Sequence, residues 1–146
     1  MATQVQYFTA EGFVDPKLVT EDAKSLAENL VIKNDRGIVD KTRSINSAQL
    51  RRFYGEVKRL EMRWKNGSAG QDAETKKMEF LKILPMIKLL KAKTAYSRAR
   101  KLVPDAFTRW IWDNVDAINS EKDFQAFLLY FEAVVGYCYG MGLSDN

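Results

Sequence analysis

Histidine is missing from all 146 positions, and cysteine occurs once, as Cys138. Without imidazole there is no Ser-His-Asp or Cys-His relay, no histidine general base and no histidine metal ligand. A single thiol forms no intrachain disulfide and completes no Cys/His zinc site. The opening Met1-Ala2-Thr3-Gln4-Val5-Gln6 lacks the charged and apolar regions of a signal peptide. A chain with neither disulfide nor secretion signal is expected in the cytoplasm. A membrane span is not expected either. From Phe124 to Ser144 the only charged residue is Glu132, a length that could cross a bilayer. That stretch also carries Gln125, Tyr130, Tyr137, Tyr139 and three glycines, and its apolar residues fall on one helical face, the pattern of a buried helix.

The sequence is 46% hydrophobic and 29% charged, which excludes collagen, disorder and disulfide-rich scaffolds. Its length suits one domain of the usual size, about 100–150 residues. A chain near that length buries roughly 70% of its unfolded surface, so neither disulfide nor metal is needed to hold it together.

Periodicity predicts helices throughout. Residues 1–19 are poorly patterned and are expected as an N-terminal arm, with Phe8, Phe13 and Val14 able to pack on the body. A first helix is predicted over Thr20–Ile32, with Thr20 as N-cap and Glu21 and Asp22 facing the positive end of its dipole. A second begins after Asn46, where Asn46 and Gln49 have capping-box spacing. Its apolar stripe is Leu50, Phe53, Val57, Leu60 and Trp64, spaced 3, 4, 3 and 4. Arg52, Arg59 and Arg63 form a second stripe roughly 120° away. Asn66-Gly67-Ser68-Ala69-Gly70 is expected to end this helix. A third starts near Asp72, buries Phe80, Ile83, Leu84, Ile87 and Leu90, and should kink or break at Pro85. A fourth opens at Pro104 and buries Phe107, Trp110, Ile111 and Val115. A fifth follows Ser120, with Asp123 completing a capping box, and buries Phe124, Phe127, Leu128, Phe131, Val134, Val135 and Cys138. The fold class is therefore all-α: a single-domain bundle of about five helices over residues 20–146.

Charge is segregated along this chain. Residues 1–40 hold four Lys/Arg and seven Asp/Glu, net −3. Residues 41–101 hold seventeen and five, net +12, and residues 102–146 hold two and seven, net −5. Surplus cations on one face attract polyanions, of which nucleic acid is the commonest. The alternative is that the basic middle is neutralised by the acidic ends within the fold. Catalytic chemistry has little support. Asp113 and Asp116, three apart, could share a cation, but two carboxylates without a third ligand are a weak metal signal and read first as solvated acids. Gly67-Ser68-Ala69-Gly70 lacks the Lys-Ser/Thr ending of a P-loop. Cys138 is expected as a buried, inert thiol. No catalytic residue, metal or cofactor is assigned.

The phosphate-binding candidates are Arg51, Arg52, Lys58, Arg59, Arg63, Lys88, Lys91, Lys93, Arg98, Arg100 and Lys101. Arginine matches a phosphate bidentately and lysine acts as a point charge. No base-reading helix, zinc finger or aromatic sheet is evident, so backbone contact without sequence preference is expected. Tyr54 and Tyr96 lie among the cations; packing is expected for both, with base stacking as the alternative.

Three segments resemble the small helical subunit of the type III-A CRISPR effector, the Csm complex. They are Ser47-Ala48-Gln49-Leu50-Arg51-Arg52-Phe53-Tyr54-Gly55-Glu56-Val57, Leu89-Leu90-Lys91-Ala92-Lys93-Thr94-Ala95-Tyr96-Ser97-Arg98-Ala99-Arg100, and Phe127-Leu128-Leu129-Tyr130-Phe131-Glu132-Ala133-Val134-Val135-Gly136-Tyr137. The likeness covers about residues 20–143. Ala92 stands where the family often has proline, and either Arg98 or Arg100 matches the family's arginine. The resemblance implies a non-catalytic bundle that lines the groove holding guide RNA and target RNA. It also implies contacts with other subunits of the complex and with adjacent copies of itself, including a homodimer when free, in antiviral defence. A different class of reading, from charge alone, is a protein-interaction module with a basic face for an acidic partner.

Overall fold

A computed structural model describes residues 5–145. Among these the regular elements are helical: a 3-10 turn Pro16–Val19, then α1 (Glu21–Leu30), α2 (Ser47–Ser68), α3 (Ala73–Lys88), α4 (Leu90–Ala99), α5 (Asp105–Ala117) and α6 (Glu121–Gly140). Only Leu89 separates α3 from α4, so the bundle has five helical rods, one of them broken. Helix α1 packs on α6, α2 on α3 and α6, and α4 on α5.

The predicted stripes become the core. Leu50, Phe53, Val57, Leu60 and Trp64 of α2 are all buried, as are Phe107, Trp110, Ile111 and Val115 of α5. Helix α6 contributes Phe124, Phe127, Phe131, Val134 and Cys138, each fully buried. Aromatic rings interlock at the centre. Trp110 lies 5.1 Å from Phe131 and 5.2 Å from Tyr130, both edge-on, and Phe53 meets Phe107 at 5.4 Å. Edge-to-face pairs of this kind add to burial because the ring edge is positive and the face negative.

Several boundaries differ from the sequence expectation, each for a local reason. Thr20 does not cap α1 through its side chain; its hydroxyl donates to the Pro16 carbonyl at 2.9 Å. Asn46 does cap α2, accepting from the Gln49 amide at 3.1 Å, but the Gln49 side chain accepts from Ser97 Oγ instead of closing the box. Ser120 caps α6 by accepting from the Asp123 amide, and Asp123 accepts in return from the Asn119 amide. Helix α2 runs through Gly67 to Ser68, and Gly70, at φ +71°, makes the turn. Gly67 faces Glu79 so closely that a Cβ there would sit 2.6 Å from its carboxylate oxygen. The expected break at Pro85 falls four residues later. Pro85 is exposed within α3, and the chain departs from the helix at Leu89. There the packing partner changes: Phe80, Ile83 and Ile87 are buried on the α2 side, whereas α4 packs on α5.

The expected arm, described from Val5 onward, is tied down. Tyr7 is buried and its hydroxyl donates to Asn114 Oδ1 of α5 at 2.8 Å. Leu18 is fully buried, and Phe8 and Val14 pair across a tight turn against the body. Phe13, at the turn's tip, is 72% exposed and does not pack.

Candidate nucleic-acid interface

The eleven candidate cations divide by what they touch. Lys88 comes first. Its ammonium donates to the Val115 and Ile118 carbonyls at 2.6 and 2.8 Å and to Asn119 Oδ1 at 3.3 Å. It therefore closes the C-terminal end of α5, where a positive charge also meets the negative end of the dipole. Burial lowers its pKa from the ordinary lysine value. With three acceptors around its ammonium, Lys88 caps the end of α5 in this structure, a role its sequence position did not signal.

Five others are paired with carboxylates. Arg51 meets Asp145 at 3.4 Å, Lys58 meets Glu61 at 2.7 Å, and Lys91 meets Asp116 at 2.8 Å. Lys93 pairs with Glu56 and Arg98 with Asp105. Lys91 also lies 4.8 Å from the Trp112 ring centroid. Burial opposes ionisation of Glu61, but hydrogen bonds from Lys58 and Lys65 win and lower its pKa. Arg98 and Asp105 hold each other ionised: its hydrogen bond to the carboxylate raises the arginine pKa and lowers that of Asp105.

Five candidates have no carboxylate partner among the described residues: Arg52, Arg59, Arg63, Arg100 and Lys101. All five are exposed. Arg52, Arg59 and Arg63 line up along α2 as their spacing requires. Arg63 reaches toward α3, with Nη1 at 3.2 Å from Met86 Sδ. Arg52 and Arg100 stand on opposite walls of a groove of about 390 Å³ between α2 and α4, with Tyr96 beside them. Across it, Lys93 pairs with Glu56 and Ser97 bonds to Gln49. Lys101 borders a second hollow of about 420 Å³ with Arg43 and Pro104. Arg52, Arg59 and Arg63 thus run along α2, Arg100 shares the groove with Arg52, and Lys101 lies at the separate hollow. Lys76 and Lys77, exposed and without a carboxylate partner among the described residues on the first turns of α3, were outside the predicted set; their place in the densest basic stretch was the available signal.

The two tyrosines behave oppositely. Tyr54 packs as expected, half-buried and 5.3 Å from the Phe131 ring. Tyr96 is 64% exposed, and the Arg100 guanidinium lies 5.6 Å from its ring centroid. The possible acidic centre does not assemble. Asp116 is held by Lys91, and Asp113 has a raised pKa, first from burial and then from Asp116. Among the described residues no three potential ligands gather for a metal. Cys138 is buried and its thiol is pushed up to about 12 by that burial, so it stays protonated at neutral pH. No described helix is long and apolar enough to cross a membrane.

Fold and surface together define a class: an all-helical bundle with an arginine-rich strip. The family model described as Csm2, type III-A, matches residues 16–140. The chain belongs to that family, the small structural subunit of the type III-A CRISPR Csm complex. Neither a curated protein nor a solved structure matches the chain.

Proposed function

We propose that this subunit binds guide RNA and target RNA within the Csm complex through phosphate contacts, without sequence preference and without catalysing a reaction itself, in the cytoplasm. The observation that carries this reading is the set of five exposed cations without a carboxylate partner among the described residues, Arg52, Arg59, Arg63, Arg100 and Lys101, on a bundle of this family. Four are arginines, whose planar fork suits phosphate oxygens. Contacts with adjacent copies and neighbouring subunits fall on another surface. Helix α3 is apolar on its outer side too, where Met78 and Leu81 are exposed, and the exposed Leu89 follows at its end.

Binding of labelled RNA by the full chain, titrated with salt, tests the RNA reading. Five neutralised phosphates give a log–log slope of about −3.5 on single strands. Charge reversal at Arg52, Arg59 and Arg63 together should weaken all sequences alike and flatten the slope to about −1.4. A salt-independent affinity, or a loss restricted to one sequence, would contradict backbone recognition.

A further inference from the structure

We propose that the groove between α2 and α4 is a subsite for one unstacked nucleobase of a bound RNA strand, with Tyr96 as its stacking platform. The proposal rests on the RNA-binding reading and adds to it a contact that phosphates alone do not make.

Exposure is the first argument. Helix α4 buries Leu90, Thr94 and Ser97, small or medium side chains, while its one aromatic residue is 64% exposed. An aromatic ring ordinarily contributes to a core or an interface, because leaving its large apolar surface in water is unfavourable. Tyr96 has no such role within the bundle. Its setting is the second argument. Arg100, one turn along, lies over the ring and donates from Nη1 to the phenolic oxygen at 3.3 Å. The cation–π contact orients the ring and keeps an uncompensated guanidinium beside it. Across the groove stands Arg52, also without a carboxylate partner among the described residues. Lys93, the third cation there, is neutralised by Glu56. Free positive charge is therefore confined to the two arginines flanking the tyrosine.

Size and polarity complete the case. The groove holds about 390 Å³, within the roughly 300–1,000 Å³ of small-ligand sites. Ser97 Oγ donates to Gln49 Oε1 at 3.3 Å, which leaves the Gln49 amide nitrogen, unengaged among the described residues, as the donor for a base edge. A base has two π faces whatever its identity, so stacking on Tyr96 is sequence-tolerant, and Arg52 and Arg100 take the adjoining phosphates. Internal bases of a regular duplex have both faces covered. The subsite therefore selects a strand, or a position within one, whose base is unpaired.

The test compares two probes on the full chain: a short single-stranded RNA containing 2-aminopurine, and a strand of equal length and charge that carries no bases. Wild type should bind the RNA more tightly than the base-free strand and quench the 2-aminopurine emission. Tyr96→Ala should cost about tenfold in RNA affinity, abolish the quenching and erase the preference for RNA over the base-free strand, while Tyr96→Phe retains both signals. Arg52→Gln should weaken both probes equally. If wild type binds the two probes equally, or Tyr96→Ala leaves their difference intact, the base subsite is wrong and the phosphate reading stands. If wild type binds neither, both readings fall.

Discussion

Lys88 and Arg52 carry the same charge in the same basic stretch, yet one is inside the architecture and the other outside it. Replacing Lys88 by methionine strips the Val115 and Ile118 carbonyls of their donor. Urea unfolding should then show a loss of about 1–3 kcal/mol, whereas Arg52→Gln should stay within about 0.5 kcal/mol. Among the acids, Glu61 has the clearest pH signature. Its pKa in the folded chain lies below the ordinary 4.5, held down by Lys58 and Lys65 against burial. Between those two values the unfolded chain binds more protons, so stability rises with pH across that window. The contribution is complete above about 4.5 and disappears as pH falls through the folded value. Glu61→Gln should flatten the acid limb of a stability-against-pH curve; an unaltered limb would show the two lysine contacts to be energetically idle. Sequence spacing placed Lys88 on its helix. It gave no sign that the Lys88 ammonium reaches acceptors 27 and 30 positions away.

Helix ends were legible where one polar side chain caps an amide three residues on and illegible where the backbone itself closes the end. Asn46, Asp72 and Ser120 each accept from an amide three residues on, a relation contained in four consecutive letters. The end of α4 is different. Lys101 sits at φ +61°, the amide of Lys101 bonds to the Arg98 carbonyl, and that of Leu102 to the Ser97 carbonyl. This is a Schellman closure at a position where glycine is usual. The left-handed conformation costs a side-chain-bearing residue about 1–2 kcal/mol, of which glycine's greater unfolded-state freedom recovers only part. Lys101→Gly should therefore raise the unfolding midpoint slightly while lowering RNA affinity, read by thermal melts and by anisotropy on the same preparation. A drop in both would mean the lysine stem packs to advantage. Strain retained at a solvent-facing cation fits a site where charge matters more than stability.

At the scale of the whole molecule, the all-α architecture and the core stripes followed from periodicity alone, because a 3.6-residue repeat needs no knowledge of its partner. Partner choice was hidden. Of the cations paired off, Arg51 finds Asp145 and Arg98 finds Asp105, so the acidic C-terminal third neutralises part of the basic middle and leaves the α2 strip free. The anchoring of the N-terminal segment was also hidden, since Tyr7 carries no periodic signal and its partner is the distant Asn114. That asparagine is fully buried, donating to the Trp110 carbonyl and accepting from Tyr7. Tyr7→Phe leaves the acceptor without its donor and should cost about 1–3 kcal/mol in denaturant unfolding. Tyr7→Ala adds a cavity and should cost more.

The same bond bears on how the chain is made. Its partners are 107 positions apart. At the ribosome's pace of about 5–20 residues per second, Tyr7 is added to the chain on the order of 5–20 s before Asn114. Throughout that interval the leading segment has no clasp, and the nascent bundle acquires its seal only once α5 has been synthesised.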